Sequence, residues 1–82
     1  MKAHIGIMAD GYLIEVSTPQ MSGGAPVKEM WYAHIPSKDE ALDAVRDKAG
    51  AAAGSTVKVV KPLTHLILTE VNVPEGAVRP YE

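Results

Sequence analysis

The sequence predicts an α+β domain: an antiparallel sheet of about four to five strands with one helix packed on one face, in the order β-β-β-α-β-β. Three observations predict it. Apolar residues alternate on both sides of Asp10-Gly11, they alternate again over residues 27–35, and a capped amphipathic segment follows at residues 37–50.

The first element is a hairpin. A two-residue loop at Asp10-Gly11 pairs Ala9 with Tyr12, Ile7 with Ile14, Ile5 with Val16 and Ala3 with Thr18. Side chains alternate along a strand, so these pairs share one face, and apolar meets apolar down nearly the whole ladder. Asp-Gly also supplies the positive φ values of a type I′ turn. Asp10 is therefore read as a turn residue rather than as an acid or a ligand.

Residues 18–27, "TPQMSGGAPV", interrupt regular structure with Pro19, Gly23, Gly24 and Pro26. The segment reads as a loop, with Met21 as an exposed apolar contact. A third strand, "VKEMWYAHI", follows over residues 27–35. Val27, Glu29, Trp31, Ala33 and Ile35 line one face, and Lys28, Met30, Tyr32 and His34 the other. The first set is the better core face.

Pro36 ends that strand, and "SKDEALDAVRDKAG" supplies the helix. Ser37 and Glu40 have capping-box spacing, Asp39 and Glu40 suit the positive helix N-terminus, and Lys48 suits the other end. Ala41, Leu42, Val45 and Ala49 form the apolar stripe, opposite Asp39, Asp43, Arg46 and Asp47. Gly50 is the expected stop, with "AAA" at 51–53 leaving a continuation as far as Gly54 as the alternative.

The second strand-rich block is "STVKVVKPLTHLILTEVNV". Thr56–Val60 is one strand, broken by Pro62, which cannot donate to a ladder. His65–Val73 is read as the next. Leu63, Leu66, Ile67 and Val71 also match a helical face, but the β-branched Ile67, Thr69, Val71 and Val73 favour strand. Residues 1–74 make the compact domain, and 75–82 an extended or disordered tail.

Composition narrows function by exclusion. A single domain of 82 residues buries roughly 60% of the surface its unfolded chain exposes. It has no cysteine, which removes cysteine-rich zinc sites and leaves stability to packing, a ligand or a second copy. Eight basic residues face ten acidic ones, giving a net charge of −2 with no block of either sign. That balance and the lack of an aromatic RNA-binding motif make nucleic acid an unexpected partner. No apolar run approaches the length of a membrane span, and the N-terminal stretch lacks a signal-peptide pattern, so a cytoplasmic protein that leaves membranes alone is expected.

No enzyme motif occurs: there is no G-x-S-x-G, P-loop, H-E-x-x-H or G-x-G-x-x-G. No catalytic residue and no cofactor is expected. With one helix on one face, part of the sheet is left uncovered, carrying Met8, Leu13, Met30 and Tyr32. Together with Met21 in the loop, these are the candidate interface residues. They favour a non-catalytic interaction domain, self-associating as a homodimer through sheet surface or edge, or binding another protein. The alternative is a small-molecule or metal-binding protein using a sheet face. His4, His34 and Glu15 are its candidate ligands, since imidazole and carboxylate are the donors left to a chain without thiols.

The order "DGYLIEV … WYAHIPSKDEALDAV" is broadly similar to small bacterial hairpin–strand–helix domains, including antitoxins of the HicB type, over residues 3–49. "TPQMSGGAP" departs from their Gly- and Pro-marked loop, and no DNA-binding tail follows. The similarity leaves an antitoxin-type regulator as the third reading and assigns no family.

Overall fold

The structure, a computed structural model, describes residues 9–50 and 54–81. Within them the order is β1 (Gly11–Thr18), β2 (Val27–Ala33), α1 (Lys38–Ala49), β3 (Thr56–Leu63), α2 (His65–Glu70) and β4 (Val78–Pro80). The strands form one antiparallel sheet in the order β3-β1-β2-β4. The α+β class holds, with a second, short helix and a different strand order.

β1 is central, and both its edges are filled. Ile14 lies opposite Trp31 of β2 and Val59 of β3; Val16 lies opposite Glu29 and Val57. These partners replace the expected Ile7 and Ile5, which lie outside the described residues. Alternation along β1 did identify its buried face, because period two fixes the face but not the neighbour. Asp10-Gly11 is no hairpin loop: Gly11 opens β1 opposite Leu63 and is not among the glycines with positive φ. Its role is spatial. A Cβ there would overlap the Ala33 carbonyl and stand 2.7 Å from Leu68 Cδ1. The backbone of β2 and a leucine of α2 close over a position that only glycine leaves empty.

α1 forms as its signals dictate. The Ser37 hydroxyl accepts from Glu40 N–H, and Gly50 closes the helix in the left-handed region at φ 63°. Ala41 and Val45 are fully buried against Ile14, Val16, Trp31 and Ala33, with Leu42 and Ala49 flanking them. Burying each Val or Ile side chain contributes about 1.5–3 kcal/mol to the stability of this layer.

Two expectations fail on the second half of the chain. Pro62 does not break β3, which continues to Leu63. β3 is an edge strand, so a missing N–H costs no ladder bond on its outer side. A bulge near Val60 shifts the register: Leu13 faces Lys61, but Ile14 faces Val59. Second, His65–Val73 is not a strand. Thr64 caps α2 by accepting from Ile67 N–H, and the helix buries Leu68 while Leu66 and Ile67 stay exposed. In the segment 75–82, read as an extended or disordered tail, Val78–Pro80 is extended and pairs with β2.

α2 ends in a Schellman motif. Asn72 takes φ 62°, its N–H donates to Thr69 O, and Val73 N–H donates to Leu68 O at 2.9 Å. The hydrophobic contact that accompanies this motif is present, since Leu68 and Val73 pack together with Leu63. That cluster covers Leu13 and Tyr32 on the sheet face opposite α1. The face expected to stay bare is thus partly closed by an element the sequence reading made a strand.

Candidate functional site

Antiparallel pairing brings the start of β1 and the ends of β2 and β3 to one end of the sheet. The residues just beyond these strand ends are Asp10, His34 and the first residue of α2, His65. A fourth segment joins them. Pro74–Ala77 forms a turn closed by Ala77 N–H to Pro74 O, with Gly76 at φ 83° in the third position. This is type II geometry, which asks for glycine there. The turn docks on β2 through Gly76 N–H to His34 O and His34 N–H to Ala77 O, both 2.9 Å. It presents Glu75.

His34 is 4% exposed, so its ring must find partners inside the protein. Its Nδ1 lies 2.7 Å from Val73 O. A carbonyl only accepts, so Nδ1 carries the proton and, in the neutral ring, Nε2 keeps a lone pair. That Nε2 faces His65 Nδ1 at 3.1 Å. His65 Nε2 in turn lies 3.4 Å from the Thr69 hydroxyl, one helical turn later. The His65 backbone is fixed by Asp10, whose Oδ2 accepts its N–H at 2.8 Å, while Asp10 N–H donates to Leu63 O.

His34, His65 and Glu75 each offer a ligand atom, and these atoms lie within 4.8 Å of one another. They open on a cleft of about 530 Å³ that Asp10, Glu40, Ile35 and Pro36 also line. Among the described residues that line it, three are carboxylates and none is lysine or arginine, so their field favours a cation. An adjoining recess of about 300 Å³ shares the two histidines and Glu75. The arrangement can coordinate or hydrogen-bond a small ligand at the histidine pair.

Of the described sequence candidates, only His34 lies here. Glu15 is buried elsewhere, between Lys28 at 3.5 Å and Lys58 at 3.7 Å. His4 and Met8 lie outside the described residues. Leu13 and Tyr32 pack into the second core cluster, and Met30 is half-buried, its carbonyl accepting from Tyr81 N–H. Met21 stands fully exposed at the loop tip. His65 and Glu75 were missed. Thr64 ahead of the helix and the "PEG" turn were the readable signals for their placement.

No family model, curated protein or solved structure matches this chain.

No helix of the described residues is long and apolar enough to cross a membrane.

Proposed function

We propose that this protein is a small-ligand binding domain without catalysis of its own, and that the cleft at His34, His65 and Glu75 is where it binds. One observation carries the reading: a buried histidine, held in a defined tautomer, meets a second histidine and a carboxylate at the mouth of a carboxylate-lined cleft. Convergent polar groups at a concave site are the usual mark of ligand binding.

The sheet edges offer less. β3 is blunted by its bulge, by Pro62 and by Lys58 and Lys61; β4 is three residues long and ends in Pro80. Such features oppose strand-to-strand pairing between copies. A stable dimer in sedimentation would return the function to self-association.

The test uses the ¹⁵N-labelled full chain with two small cations, imidazolium and methylammonium, and acetate as the opposite charge. The cations are expected to shift the amides of His34, His65, Glu75 and Gly76, and acetate to leave them in place. Shifts scattered over the surface, or none, would remove the cleft as the binding site.

A further inference from the structure

We infer that the His34–His65–Glu75 cluster is a binding site for a divalent transition metal ion of the zinc and copper class, held by His34 Nε2, His65 Nδ1 and a Glu75 carboxylate oxygen. This deepens the binding reading above and rests on it.

The distances fit the ion. Imidazole nitrogen binds Zn²⁺ at about 2.0–2.1 Å, so two such nitrogens 3.1 Å apart subtend about 100° at a common ion. That lies between square and tetrahedral angles. A carboxylate oxygen within 4.8 Å of both nitrogens supplies the third donor after a small side-chain adjustment on an exposed turn. The fourth position opens on the cleft and is left to water or an exogenous donor.

The outer partners fit as well. Metal-bound imidazole donates its other N–H to an acceptor, which sets the tautomer. His34 already does so, donating from Nδ1 to Val73 O and turning its Nε2 lone pair toward His65. His65 needs the same from Nε2, and the Thr69 hydroxyl stands there. Without metal, the His65 proton sits on Nδ1 and donates to His34 Nε2, while Thr69 donates to Nε2. With metal, that proton sits on Nε2 and Thr69 accepts. A hydroxyl plays both parts, so loading the ion releases no proton from the neutral pair and orphans no polar group.

The donor set chooses among ions. Calcium and magnesium want oxygen shells and are poorly served by two imidazoles. Soft monovalent copper prefers sulfur, and among the described residues no sulfur lines the cleft. Nitrogen and carboxylate suit zinc, nickel and divalent copper, with copper tightest in the Irving–Williams order. Asp10 and Glu40 add negative charge around the ion without belonging to its nearest shell.

The experiment titrates Zn²⁺ and Cu²⁺ into the untagged full chain by calorimetry and records the visible spectrum of the Co²⁺ form. One ion per chain is expected, with Cu²⁺ tighter than Zn²⁺ and with cobalt bands of low coordination number. His65→Ala and Glu75→Gln are safe variants because both side chains are exposed. Glu75→Gln should weaken Zn²⁺ about tenfold and His65→Ala by more, taking the loss of an outer-shell partner as the lower bound. Absence of 1:1 binding, or equal binding by His65→Ala, overturns the metal assignment. The methylammonium shifts then decide separately whether the cleft binds at all: if they persist, only the ion was wrong.

Discussion

His34 Nδ1 donates to the carbonyl oxygen of Val73, 39 residues along the chain, at 2.7 Å in a buried setting. This bond ties the end of β2 to the segment that terminates α2. It also decides the chemistry of the cleft, because it commits the His34 proton to one nitrogen and frees the other. Structure and site share a single contact, which makes the pair separable by substitution.

Asparagine and alanine at position 34 should separate them. Asparagine can place an amide N–H near the Nδ1 position and keep a donor for Val73. Alanine leaves that carbonyl without this partner, at a cost of about 1–3 kcal/mol, and opens a cavity besides. Urea denaturation should rank wild type above His34→Asn, and His34→Asn above His34→Ala. Both variants should lose Zn²⁺ binding, since neither retains Nε2. Equal stability of the two variants would mean that the Val73 bond contributes little.

Gly11 tests how tightly the sheet end is packed. Gly11→Ala sets a methyl against the Ala33 carbonyl and Leu68 Cδ1. Overpacking of this kind costs about 1–3 kcal/mol. The control is Gly24→Ala, where the nearest atom to an added Cβ is a flexible glutamine side chain at 3.7 Å. Thermal melting should show a large loss for the first and little change for the second. Similar melting points would show that the strand start can move aside.

These contacts also explain what could be read from the chain beforehand. α1 was legible to both ends, because Ser37, Glu40 and Gly50 act within one or two turns of their own position. The faces of β1 and β2 were legible from alternation. Neighbour order was not, since Ile14 meets Trp31 and Val59 through contacts that no local pattern encodes. α2 was misread because Ile67, Thr69 and Val71 carry β propensity. Thr64, Asn72 and the burial of Leu68 outweigh it. That error hid the site. His34 and His65 both read as histidines on strands, but His65 needed the helix and Glu75 needed the turn at residues 74–77 to come near His34.

The Schellman end of α2 makes a prediction about Asn72. At φ 62° a side chain meets its own backbone, a strain that asparagine tolerates better than most residues and glycine escapes. Asn72→Gly should leave stability within about 1 kcal/mol of wild type, with glycine's greater unfolded-state entropy offsetting the relief. Asn72→Val should cost about 1–3 kcal/mol, because a β-branched residue resists this region. Since the motif sets the position of Val73, Asn72→Val should also weaken whatever the histidine pair binds. A valine variant as stable as wild type would show that the turn has another way to close.

Tyr32 gives the pH dependence. Desolvation, and secondarily the nearby Tyr81 phenol, raise its pKa above the ordinary 10.0. The two rings lie 5.3 Å apart between centroids. The folded state therefore holds the neutral phenol more firmly than the unfolded chain does. Its contribution is complete below pH 10 and is lost as pH rises through 10 toward the raised value. Tyr32→Phe cannot ionise, so its stability should fall less between pH 9 and pH 11 than that of wild type, by denaturation at each pH. If Tyr32→Phe declines as wild type does, the Tyr32 phenol is not what the folded sheet protects.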